Sequence, residues 1–110
     1  MSLRNFDAEK YLKEGAQSYG KRKEIEELVD KLSKTDYDNV VLLGIGGPWA
    51  EWYPVVVVAK YYSDLPIYLE NAGEFLVKKN KKYVSEKSLV FTSSASGNTK
   101  EIVKAVEMCK

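Results

Sequence analysis

No histidine occurs anywhere in this chain, and Cys109 is its one cysteine. Without an imidazole the usual proton shuttle near neutral pH is missing. Acid–base work therefore falls to carboxylates, lysines or tyrosines, or to another chain. One thiol and no imidazole make no metal site, and no cofactor is expected. A single cysteine also excludes an internal disulfide and fits a reducing compartment. No apolar run approaches the ~20 residues needed to cross a bilayer, and Met1-Ser2-Leu3-Arg4 lacks a signal-peptide pattern. The expected location is cytoplasmic. Charge of one sign is lacking too. Seventeen Lys and Arg stand against sixteen Asp and Glu, a net charge of +1. That balance gives no general pull toward nucleic acid or membrane.

What is present fits one globular domain with a modest core. The chain has 110 residues, 45% of them apolar and 30% charged, outside the disordered range. Asp7 predicts the cap of a helix running to about Tyr19, with Ala8, Leu12, Ala16 and Tyr19 on one side and Gly20 as its break. A second helix is expected over about Lys21 to Ser33, where Ile25, Leu28, Val29 and Leu32 repeat at helical spacing. Val40 to Leu43 is short and continuously apolar, as in a parallel strand buried on both faces. The turn Gly44-Ile45-Gly46-Gly47-Pro48 follows it. A dinucleotide fingerprint fails here, because Trp49 stands where the third glycine belongs.

Residues 49–62 read both ways. Trp49, Trp52/Tyr53, Val56/Val57 and Lys60 keep helical spacing, while Val55 to Val58 favours a strand and Pro54 suits the interior of neither. Leu65 to Leu69 predicts a second strand, with Pro66 near its start. Asn71-Ala72-Gly73-Glu74 has the pattern of a capping box, and Lys78 to Lys82 is a basic run that reads as a solvated face. A third strand, Leu89-Val90-Phe91, ends in Ser93-Ser94-Ala95-Ser96-Gly97-Asn98-Thr99-Lys100-Glu101, and then a helix with Ile102, Ala105/Val106 and Cys109 inward.

That last stretch organises the chain. A strand, a hydroxyl-rich glycine turn and a helix start make an anion site. The first helical turn offers open N–H groups, the helix dipole favours negative charge, and Ser93, Ser94, Ser96 and Thr99 add neutral donors. The same letters also read as a plain capping box, with Asn98 as N-cap and Glu101 at the third helical position. Spacing leaves both readings open.

Ser94-Ala95-Ser96-Gly97-Asn98-Thr99-Lys100-Glu101 resembles the Ser-x-Ser-Gly-x-Thr-x-Glu signature of sugar isomerase (SIS) domains, which bind phosphosugars. Val40 to Gly47 is similar to the first strand and Gly-x-Gly loop of that domain. The region from Tyr53-Pro54 through Leu65-Pro66 to Glu74-Phe75 most resembles the fructosamine-6-phosphate deglycase and phosphosugar isomerase branch. Together the likeness covers residues 6 to 110 and implies the N-terminal part of such a domain.

The resemblance implies an α/β fold: a three-layer αβα parallel sheet, flavodoxin-like, in the order ααβαβαβα. Residues 1–34 would be N-terminal helices, and 35–110 the opening of the SIS domain. Residues 49–62 would form a helix kinked at Pro54. Trp49, Trp52, Tyr61 and Tyr62 are then expected in the core or at a subunit contact. About three strands are visible where an SIS domain has five, so the sheet is incomplete. A homo-oligomer (dimer), or a partner chain completing the sheet, is expected.

By resemblance the phosphosugar-binding residues are Gly46, Gly47, Ser94, Ala95, Ser96, Gly97, Asn98 and Thr99, and no catalytic residue is assigned. Glu74 resembles the glutamate of an Ala-x-Glu-Phe stretch, though capping accounts for it. Pro48 departs from the family, which usually has Ser there. The implied function is phosphosugar binding, as part of a sugar-phosphate isomerase or a fructosamine-6-phosphate deglycase. The alternative is a non-catalytic regulatory or sensor module, or a truncated fragment with no activity.

Overall fold

The computed structural model describes residues 6–78 and 82–110, and the chain divides into two units, Met1–Asp36 and Tyr37–Lys110. In the first, Asp7 has extended backbone and its carboxylate accepts the Lys10 N–H at 2.9 Å. This satisfies one of the open donors of α1 (Ala8–Gly20). The helix keeps Gly20 and breaks one residue later than expected. The Lys21 N–H turns back to the carbonyls of Ser18 and Tyr19, and α2 (Arg22–Leu32) starts anew. Exposed pairs such as Lys21–Glu24 (2.7 Å) and Arg22–Glu26 (2.8 Å) lace the polar side of α2. Each stabilises the helix by only about 0.3–0.5 kcal/mol. Neither helix buries a residue.

The second unit contains β1 (Asn39–Gly44), α3 (Gly47–Tyr62), β2 (Ile67–Asn71), α4 (Ala72–Lys78), β3 (Ser88–Thr92) and α5 (Lys100–Cys109). The three strands form one parallel sheet in the order β2-β1-β3. The expected α/β architecture is therefore observed, with the apolar run 40–43 as the central strand. Burial on both faces explains why that run does not alternate with polar residues. Val41 and Leu43 are fully buried with Ala72 and Phe75 from α4 and Ile102 and Ala105 from α5. On the opposite face Val40 and Leu42 look toward Trp52, Val55 and Ala59 of α3. Truncating Leu43 to Ala is expected to cost about 2–5 kcal/mol, as for other buried leucines.

Three local expectations change. Residues 49–62 are helical, and α3 runs unbroken through Pro54, starting two residues earlier than the resemblance suggested. The second strand lies at Ile67–Asn71 rather than Leu65–Leu69. Pro66 has no N–H for the ladder, and its carbonyl instead receives the Val40 N–H at 2.9 Å, so pairing begins just beyond it. Trp52 is half-buried, but Trp49, Tyr61 and Tyr62 lie on the surface, the two tyrosines more than 80% exposed. They are not core residues. Finally, the expectation for the basic run at 78–82 falls partly outside the described residues.

A polar lock holds the chain ahead of β3. Tyr68 and Tyr83 stack at 4.1 Å, the Tyr83 hydroxyl donates to the Glu70 carboxylate, and the Asn39 amide donates to the Tyr83 carbonyl at 2.7 Å. Burial, and then that bond to Glu70, push the Tyr83 phenol well above its ordinary pKa.

Candidate functional site

The strand order decides where a ligand can sit. From β1 the chain passes through α3 to β2 on one side, then crosses to β3 on the other side through α4. Connections therefore part between β1 and β3, and in open α/β sheets ligands bind at that switch point, outside the carboxyl ends of the strands. Two loops meet there: Gly44 to Gly47 after β1, and Ser93 to Thr99 after β3. The Ser93 N–H extends the ladder to the Leu43 carbonyl at 3.4 Å, and the Ser93 hydroxyl reaches the Pro48 carbonyl at 3.5 Å. The serine turn is thus tied to the first turn of α3.

Within the turn the hydroxyls are paired. Ser94 Oγ and Thr99 Oγ1 lie 2.7 Å apart, the Gly97 N–H donates to Ser94 Oγ at 3.1 Å, and the Asn98 N–H donates to Ser96 Oγ at 3.1 Å. Gly97 has φ +72°, a left-handed conformation that glycine adopts without steric cost. The N-cap of α5 is Thr99, whose carbonyl accepts the Val103 N–H at 3.0 Å; no side chain caps the helix. The expected capping box with Asn98 as N-cap is therefore incorrect. Asn98 lies one residue too early, which takes Glu101 out of the third helical position. The Thr99 hydroxyl is engaged by Ser94 instead of by the helix. The first N–H groups of α5, at Lys100, Glu101 and Ile102, have no intrahelical acceptor, and their positive end of the dipole faces the turn.

The first loop repeats the arrangement. Gly46, at φ +64° and ψ −130°, is the N-cap of α3, and no side chain caps that helix either. Pro48 lacks an N–H, so Gly47 and Trp49 supply the open donors. The eight sequence-predicted site residues thus form two clusters. Gly46 and Gly47 open α3, while Ser94, Ala95, Ser96, Gly97, Asn98 and Thr99 make the turn before α5. Ser94 and Thr99 are half-buried, and Ser96, Gly97 and Asn98 are exposed. Two residues outside those eight also shape the site, Ser93, already counted among the hydroxyl donors, and Gly44. Ser93 bonds both loops, and Gly44 lies against the backbone of Trp49. Its place as first glycine of the turn was the only signal for it. At the start of α4 the cap is Asn71, whose Oδ1 accepts the N–H groups of Gly73 and Glu74 at 3.0 and 3.3 Å, while the Glu74 carboxylate accepts from Lys78 at 3.5 Å.

The lining has acceptors and neutral donors, but no arginine and no histidine. Such a set can hold an anion through backbone N–H and hydroxyl groups. A hollow of about 440 Å³ lies along α3, lined by Pro54, Val55, Val58, Ala59 and Tyr62. Nearly all of that surface is apolar, which unfits it for a phosphorylated ligand. Among the described residues no cluster of His, Cys, Asp and Glu could hold a metal, and no helix is long and apolar enough to cross a membrane.

Fold and loops together define a flavodoxin-like α/β domain. No family model matches the chain. It is 33% identical over 93 residues to the fructosamine deglycase FrlB of Bacillus subtilis, a match covering 80% of this chain and 27% of that protein. A crystal structure from Bacillus subtilis, assigned as a phosphosugar isomerase, superposes with a TM-score of 0.72 at 33% identity. It covers 79% of this chain and 26% of its own. The chain is therefore homologous to these proteins and shares their fold, and it spans about a quarter of their length.

Proposed function

We propose that the chain binds a sugar phosphate at the β1–β3 crevice, as part of a phosphosugar isomerase or a fructosamine-6-phosphate deglycase. The phosphate is held by the hydroxyls of Ser94, Ser96 and Thr99 and the first N–H groups of α5, with Gly46 and Gly47 forming the facing wall. The observation that carries this reading is the uncapped start of α5. A hydroxyl stands at its N-cap, yet that hydroxyl turns to Ser94 and leaves the helix donors to a ligand. The relatives' names support the same ligand class.

No residue is assigned to the catalytic step, and the chain holds no histidine to act as its proton shuttle. That favours a second reading, in which the chain binds the phosphosugar and is silent alone. The exposed tyrosines of α3 and the open edge of β3 further support association with a second copy or with another chain that completes the sheet.

Thermal denaturation with fructose 6-phosphate, glucosamine 6-phosphate and a fructosamine 6-phosphate tests the binding. A ligand bound only by the folded state raises the melting temperature with concentration. A rise that disappears in Ser96→Ala and Thr99→Ala is the expected result. No rise at millimolar concentration, in a folded sample, overturns the reading. Isomerase and deglycase assays on the same samples separate the two forms of it.

A further inference from the structure

Resting on that reading, we propose that Gly44 is a positioning residue that sets the width of the sugar-phosphate crevice. A Cβ at this position would stand 2.7 Å from both Cα and N of Trp49 and 2.9 Å from the carbonyl carbon of Pro48. All three are backbone atoms, which cannot swing aside as a side chain does. No left-handed φ demands glycine here, in contrast to Gly46 and Gly97. Space alone demands it. The gap lets the first turn of α3 press onto the end of β1.

That closeness has two consequences at the site. It brings the Pro48 carbonyl to the Ser93 hydroxyl at 3.5 Å, a hydrogen bond that ties the start of α3 to the serine turn. It also fixes Gly46 and Gly47 at the mouth where Ser94 to Thr99 face them. A methyl group at residue 44 would need α3 to retreat by roughly 0.7 Å to reach ordinary van der Waals separation. Displacements of this order in a preorganised site have large effects on ligands that touch both walls. The serine turn, anchored on β3 and α5, would stay in place.

The test is a pair of affinities measured on Gly44→Ala by isothermal titration. Inorganic phosphate needs the serine turn alone, while fructose 6-phosphate needs both walls. We expect Gly44→Ala to lose about tenfold or more in fructose 6-phosphate affinity and to keep that for inorganic phosphate. Ile67→Val, which removes one methyl group at the far end of β2, serves as a destabilised control and should change neither. Unaltered fructose 6-phosphate binding in a folded Gly44→Ala overturns the inference. So does parallel loss of both ligands, which marks a purely structural role. If the wild-type chain binds no phosphosugar, the reading beneath fails and takes this one with it; wild-type binding with an indifferent Gly44→Ala removes this one alone.

Discussion

Ser94 Oγ and Thr99 Oγ1 lie 2.7 Å apart, and this contact decides what the start of α5 is free to do. An N-cap threonine ordinarily turns its oxygen to the second or third helical N–H, and losing it costs about 0.5–2 kcal/mol. Thr99 makes no such bond. We predict that Thr99→Val lowers phosphosugar affinity about tenfold or more, through a lost charge-assisted hydrogen bond. Thermal unfolding should change less than an N-cap deletion would make it. Titration and denaturation of one sample check both; a large loss of stability with intact affinity would show Thr99 to be a structural cap.

Pro48 gives the opposite kind of test. It opens α3 without an N–H, beside the crevice. Pro48→Ser would restore a hydroxyl and a backbone donor where SIS domains usually carry serine. One added hydrogen bond of about 1 kcal/mol corresponds to an affinity gain of about fivefold. Titration with fructose 6-phosphate measures it. A weaker complex would mean that the proline ring itself contributes to the pocket.

Asn71 separates capping from ligand binding. Its Oδ1 takes the N–H groups of Gly73 and Glu74, so Asn71→Ala is expected to destabilise the fold by about 1 kcal/mol. The serine turn does not depend on it. Urea denaturation should show the loss, while the affinity for phosphate stays as in wild type. A joint loss would tie α4 to the site.

Tyr83 predicts an alkaline limit. In an unfolded chain a tyrosine titrates near pH 10. In the fold, burial and then the hydrogen bond to Glu70 hold the phenol above that value. The folded pKa is raised, so the contribution to stability is whole below about pH 10 and falls as pH rises beyond it. Urea denaturation at pH 8 and pH 10.5 should show this fall in wild type. Tyr83→Phe should be less stable at pH 8, by about 1–2 kcal/mol for the lost bond to a carboxylate, and should lose the Tyr83 share of the alkaline decline. An identical decline in both would assign it to other groups.

Much of this was legible from residue order. The uninterrupted run Val40–Leu43 marks a central parallel strand because no other position in a small sheet buries both faces. Asp7 and Asn71 cap their helices as their side-chain chemistry dictates. Residues 49–62 read both ways because apolar residues lie on every side of α3, with only Glu51 and Lys60 charged, and a proline sits among them, so neither period stands out. The N-cap of α5 is not decided by residue order, for a different reason. Asn98 and Thr99 are both competent caps, and the choice between them depends on Ser94 across the turn.

By itself, then, the chain determined its strands, its two glycine- and serine-bearing turns and the helices that follow, since these depend on short-range sterics and on the spacing of apolar residues. Only the tertiary structure decided that β3 lies beside β1, so that Ser93 meets Pro48 and Gly44 gives way to Trp49. Those contacts join backbone atoms far apart in the chain, and no local preference encodes which strand will be the neighbour. Burial of the shared face made by Val41, Leu43, Phe75 and Ile102 sets that choice, and with it the place of the crevice.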